Sequence, residues 1–262
     1  MTPERTRYWV TKLMGALLIG ATLFGAGCAS MQQKKEQQKK TKDAKWHYEM
    51  GAGYFESHEI PLAIRELHKA IEMKPDLYKA HHLLGFIYMG RREYAKSIQH
   101  FKETLRLEPD YHFARNNLGT VYLAMERWRE AADIFEQLLE EPLYTTPELA
   151  HNNLGLAYFN LRKYQKALEH YKMATFLKPQ MCLAYNNMGR VHEAMGRTLE
   201  AKSQYQKAIR KCPNNYAEPH FNLGKLLQQQ GLPEAQAHFQ RCQQIEPESN
   251  LGERCRQYLQ VR

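Results

Sequence analysis

The sequence predicts an all-α protein built as a right-handed solenoid of six helical hairpins, closed by a C-terminal capping helix. Three observations carry that expectation. Glycines at 51, 85, 119, 155, 189 and 224 recur at intervals of 34, 34, 36, 34 and 35 residues. Each sits in the same short phrase, such as Leu84-Gly85 with Tyr88, Leu118-Gly119 with Tyr122 and Leu154-Gly155 with Tyr158. After the glycine come a small residue twelve places on, a large one at sixteen and a small one at nineteen: Ala63, Leu67 and Ala70 in the first unit, Ala167, Tyr171 and Ala174 in the fourth, Ala201, Tyr205 and Ala208 in the fifth. A proline then closes the unit at Pro75, Pro109, Pro179, Pro213 and, after a one-residue deletion, Pro247; proline lacks a donor and pushes the residue before it out of the helical region. Stacked units of this period present a shaped surface to another macromolecule, so the question becomes one of partner rather than reaction.

The pattern resembles the tetratricopeptide repeat, a helix A–turn–helix B unit in which small residues let the two helices approach while Leu, Tyr and Phe fill the space beside them. The resemblance implies units at residues 44–77, 78–111, 112–147, 148–181, 182–216 and 217–249, with the capping helix at 250–262. Departures are modest. Ser97 and Thr104 replace alanines in the second unit, Leu138 replaces one in the third, and the third carries two extra residues around Pro142 to Pro147.

Ahead of the repeats, residues 1–27 read as a signal sequence: Arg5, Arg7 and Lys12 precede an uncharged apolar stretch from Leu13 to Gly27. That stretch is short of the ~20 apolar residues a membrane span needs. Leu23-Phe24-Gly25-Ala26-Gly27-Cys28 resembles the bacterial lipobox, with Gly25 standing where that family usually has leucine. The resemblance implies that Cys28 becomes a lipidated mature N-terminus, and Ala29 after it implies the outer rather than the inner membrane. From 28 to 43 the chain is Lys/Gln-rich without apolar periodicity and reads as a flexible tether spanning roughly 20 Å.

The formal net charge of +9 is unevenly placed. Signal segment and tether hold most of it, leaving the repeats only mildly basic and without a basic stripe, which argues against nucleic acid as partner. Setting Cys28 aside, cysteines stand at 182, 212, 242 and 255. An exported protein meets an oxidising compartment. Antiparallel helices place Cys182, at the start of the fifth unit, beside Cys212 near its end, and Cys242 beside Cys255 on the capping helix. Of three connectivities, 182–212 with 242–255 is the expected one, the alternative being free thiols buried at small-residue positions.

Nothing in the sequence reads as catalytic: it has no phosphate loop, His-Glu-x-x-His, Cys-x-x-Cys or Gly-x-Ser-x-Gly. The expectation is a protein that is not an enzyme and takes no cofactor, metal or small-molecule substrate. The twelve histidines read as packed or surface helix residues. In tetratricopeptide arrays helix A lines the concave groove through its second, fifth, sixth, ninth and twelfth places. The fifth and sixth are Asn116-Asn117, Asn152-Asn153 and Asn186-Asn187, with Asn222 at the sixth place of the last unit. An amide both donates and accepts, so these pairs read as ligands for an extended peptide backbone, or else as repeat consensus bonding the neighbouring helix. Phe113, Leu149 and Leu183 at second places, with Leu123, Leu156 and Phe159, would supply apolar anchors. Arg190 and Lys225 would serve an acidic or carboxylate group.

Lipobox, tether and six repeats together resemble the pilotin lipoproteins of type IV pilus biogenesis, the PilW/PilF and Tgl-like group. That resemblance implies an outer-membrane lipoprotein facing the periplasm, whose protein partner is a secretin subunit that it helps assemble or localise for twitching or social motility. A general periplasmic adaptor recruiting envelope proteases or cell-wall enzymes is the other reading of the same features.

Overall fold

The computed structural model describes residues 31–260. The signal segment and Cys28 lie outside these residues. Among the described residues there are thirteen helices and no strand. The first, α1, covers residues 31–56. Then follow α2 (Ile60–Met73), α3 (Tyr78–Gly90), α4 (Tyr94–Leu107), α5 (His112–Ala124), α6 (Trp128–Leu139), α7 (Pro147–Asn160), α8 (Tyr164–Leu177), α9 (Cys182–Ala194), α10 (Thr198–Lys211), α11 (Glu218–Gln229), α12 (Ala235–Ile245) and α13 (Asn250–Gln260). Odd-numbered helices up to α11 are the A helices, even-numbered ones the B helices, and α13 stacks on α11 and α12 as the cap.

The glycine period has a steric cause. A Cβ placed on Gly85, Gly119, Gly155, Gly189 or Gly224 would lie 2.4–2.8 Å from the ring of Phe101, Phe135, Tyr171, Tyr205 or Phe239 on the paired B helix. The ring sixteen places on, or fifteen in the last unit, fills the room the missing side chain leaves, and each of these rings is at most 1% exposed. Ser97 and Thr104 fit the same core because their hydroxyls find acceptors: Ser97 Oγ donates to the Gly85 carbonyl at 2.8 Å and Thr104 Oγ1 to that of His100 at 2.9 Å.

Each A–B turn closes in one way. The residue seven places after the glycine has positive φ: His58, Arg92, Glu126, Arg162, Gly196 and Gly231, between 58° and 71°. The next backbone N–H then bonds back to the A helix, as in Glu93 N to Tyr88 O at 2.9 Å and Arg197 N to His192 O at 2.8 Å. Only the last two turns use the glycine that this left-handed conformation favours.

The expected coil before the repeats is replaced by helix. Residues 31–43 run without a break into α1, exposed from 31 to 40. Lys, Gln and Glu are good helix formers, no Gly or Pro interrupts the stretch, and the packed part of α1 supplies the nucleus. Lys40 pairs with Glu36 at 3.2 Å, and Thr41 Oγ1 donates to the Gln37 carbonyl at 2.9 Å. At 1.5 Å per residue this segment reaches about 20 Å, as the coil would, but as a rod.

Candidate peptide-binding groove

The second places of the A helices lie in their first turns and project outward: Phe113 is 59% exposed, Leu149 40% and Leu183 42%. Phe86, at the ninth place of α3, joins them and meets Phe55 edge to face at 5.9 Å. Leu123 is buried in the core behind this surface, and Leu156 and Phe159 lie partly buried against it.

The asparagines behave otherwise. Asn152, Asn186 and Asn187 are buried, and the amides bond between successive A helices. Asn187 Nδ2 donates to Asn152 Oδ1 at 3.2 Å, and Asn222 Nδ2 donates to Asn186 Oδ1 at 3.0 Å. Asn117 Nδ2 meets His82 Nε2 at 3.2 Å by the same rule. The sixth place of one unit thus bonds to the fifth place of the unit before it. The reading of Asn117, Asn152, Asn186, Asn187 and Asn222 as peptide ligands is corrected here. Stacked A helices bring these side chains together, where an amide without a partner is costly, so they bond to one another, with Asn186 Nδ2 left buried and unpartnered.

One rung is open. Asn153 should reach Asn116, but Asn116 Oδ1 is buried without a partner and Asn153 Oδ1 accepts instead from Asn152 at 3.3 Å. This is the junction with the two extra residues. Arg115 ties the lengthened loop down by bonding to Glu141 and to the Pro109 carbonyl.

Arg190 and Lys225 are half-buried at the C-terminal end of the A-helix face. Arg190 sits 5.1 Å from the Phe159 ring centre and Lys225 5.6 Å from that of Phe221. A third cation, Arg254 of α13, lies 4.4 Å from the Phe221 ring centre, and all three side chains line one cavity with Glu218, Asn222 and Leu251. Arg254 escaped the sequence reading, which did not extend the repeat register into the cap; counted from residue 250, it takes the fifth, inward place.

The histidines also pair. His81 meets His100, His151 meets His170 and His220 meets His238, each Nδ1 to Nδ1 at 3.0–3.1 Å between helices A and B of units two, four and six. Burial holds His100, His151 and His220 down at about 4, so these three imidazoles are neutral at pH 7. The signal in the sequence is the separation of nineteen residues, or eighteen after the deletion in the last unit. Among the described residues no group of three or more His, Cys, Asp or Glu side chains is placed to hold a metal. No described helix is long and apolar enough to cross a membrane. Among the described residues there are two disulfides, Cys182–Cys212 joining the start of α9 to the end of α10, and Cys242–Cys255 joining α12 to α13.

Repeats stacked in this way, with an outward-facing A-helix surface, define a protein-interaction scaffold. Sequence models of the tetratricopeptide repeat match residues 76–140 and 180–257, and a second such model matches 116–181; the chain belongs to this family. No curated protein matches the sequence. Among solved structures, PilW, described as a widely conserved type IV pilus biogenesis factor, superposes with a TM-score of 0.71 at 20% identity, over 80% of this chain and 97% of that one. PilF of Pseudomonas aeruginosa gives 0.67 at 17% identity, over 84% and 99%. YrrB, described as having an unusual peptide-binding site, gives 0.50 at 21% identity, over 73% and 97%. At these identities the likeness is one of fold.

Proposed function

We propose that this chain is a lipid-anchored scaffold of the outer membrane, a pilotin, which holds a secretin subunit on its A-helix face and promotes secretin assembly for type IV pilus biogenesis. The observation that carries the reading is the A-helix surface itself. Phe86, Phe113, Leu149 and Leu183 stand exposed along four successive A helices, and apolar side chains held open in a row favour a partner that removes them from water. The match in fold and extent to PilW and PilF supports placing that partner in pilus biogenesis. Cys28 as the anchored residue supports a site close to the membrane, with the exposed helix 31–43 as a stiff spacer.

The test combines anchoring with partner. Intact-mass analysis of the membrane fraction should show an acylated N-terminus that Cys28→Ala removes. Deletion of the chain should reduce heat-resistant secretin multimers, and re-expression of a Phe113→Asp/Leu149→Asp variant should fail to restore them while remaining helical by circular dichroism. Normal multimers in the deletion strain would overturn the secretin assignment and leave the general envelope adaptor. Full rescue by the groove variant would move binding off the A-helix face.

A further inference from the structure

We infer that Arg190, Lys225 and Arg254 form a subsite for acidic side chains of the bound protein segment, at the end of the groove where the apolar row stops; this rests on the A-helix face being the binding surface. The apolar second-place row ends at Leu183 on α9. The next A helix carries Glu218 at that place, and from Arg190 onward the inward ninth places are cationic. Three cations from α9, α11 and α13 line one cavity, and none makes an ion pair with a carboxylate among the described residues.

The two nearby acids make no ion pair with them. Glu193 accepts a hydrogen bond from Tyr205 at 2.6 Å and Glu218 one from Tyr216 at 3.0 Å. Aromatic faces hold the cations, Phe159 under Arg190 and Phe221 shared by Lys225 and Arg254, and Arg190 Nη1 also donates to Asn187 Oδ1 at 3.5 Å. Such contacts fix a guanidinium or ammonium in place while leaving its N–H groups free to donate. Arg254 is fixed further by its helix: Cys255 is bonded to Cys242, and Tyr258 stacks on Phe239 at 4.9 Å and meets Phe221 at 5.4 Å.

The number of the cations selects the ligand. Three positive charges in one cavity exceed the single charge of a terminal carboxylate, whereas acidic side chains at alternate positions of an extended chain repeat every ~7 Å and bring more than one charge to it. The occupant is therefore an extended protein segment with apolar side chains followed by two or more acidic ones, read from the middle units toward the cap.

The experiment pans a random-sequence peptide library, displayed with blocked and with free C-termini, against the full chain and its R190E/K225E/R254E variant. Wild type should retain peptides in which Asp or Glu at alternate positions lies beside apolar residues, whether or not the C-terminus is free. The variant should bind those peptides about ten- to a hundredfold more weakly, the loss expected for one or two charge-assisted hydrogen bonds. A Phe113→Asp/Leu149→Asp variant serves as the separate control for the groove. Acid enrichment that survives the charge reversal, or enrichment dependent only on a free C-terminus, overturns the subsite. If the apolar variant loses binding while selected peptides carry no acids, the subsite fails and the groove stands. If no peptide depends on either variant, both fail.

Discussion

Units three and five share nearly the same helix A, Arg115-Asn116-Asn117-Leu118-Gly119 against Tyr185-Asn186-Asn187-Met188-Gly189, yet the two asparagine pairs end differently. In unit five both amides are engaged, Asn187 backward to Asn152 and Asn222 forward onto Asn186. In unit three only Asn117 is engaged, with His82, while the forward rung from Asn116 stays open. Unit five also has glycine in its left-handed turn and a disulfide from end to end; unit three has Glu126 in the turn and a loop two residues longer. A shared motif therefore does not give a shared role. The rung depends on how far apart the next pair of helices is set, and the loop length between units sets that.

The largest effect that should test this comparison acts on the unit between the two. His151 and His170 bridge α7 and α8, and burial keeps both below the usual histidine range, His151 at about 4; Glu136 and Glu169 oppose the shift at His170, and Lys166 adds to it. The unfolded chain takes up protons near 6.5 while folded His100, His151 and His220 resist down to about 4. Stability is full above about 6.5 and is lost as pH falls toward 4, because the unfolded state binds more protons across that window. Melting temperature should drop steeply from pH 7 to pH 5, and hydrogen exchange should show protection lost first in units two, four and six. A flat profile would mean the imidazoles are hydrated rather than packed.

Next in size is the disulfide of unit five. Replacing Cys182 and Cys212 with alanine opens a loop of 30 residues. It should cost ~3–4 kcal/mol in chemical denaturation on the chain-entropy account. No comparable bond holds unit three, so its exchange rates should barely change in the same variant.

Smaller, and most direct, is the rung itself. Asn187→Ala leaves the buried Asn152 oxygen without its donor and should destabilise by ~1–3 kcal/mol, whereas Asn116→Ala removes an oxygen that already lacks a partner and should cost less than ~0.5 kcal/mol or stabilise. Equal losses at the two positions would show that the open rung closes in solution. The smallest effect is in the turns: Glu126→Gly relieves a left-handed side chain and should add about 1 kcal/mol, and Gly196→Glu should remove a similar amount.

The helical hairpins, their period and the ring-on-glycine packing were legible because each depends on residues at a fixed separation along the chain. The groove was half legible. Phe113, Leu149 and Leu183 face outward as their register implies, but the asparagines needed the neighbouring helix to show that they bond to each other. The helix at 31–43 was not legible from periodicity, because helix propensity and a packed continuation suffice where apolar spacing is absent. The histidine pairs and Arg254 were visible as spacings, but nothing in one sequence marked those spacings as contacts.

By itself the sequence determined the repeat: glycine beneath a ring, small residues at the crossing and proline at the end are local steric demands that any stack of these units must meet. Tertiary structure decided which polar side chains remain for a partner. Burial removes an amide from the surface once a second amide lies within hydrogen-bond reach, and that distance is set by how unit packs on unit. The three cations were left without ion pairs for the same reason: the nearby carboxylates accept from tyrosine hydroxyls, and aromatic rings and the Asn187 amide lie beside the cations.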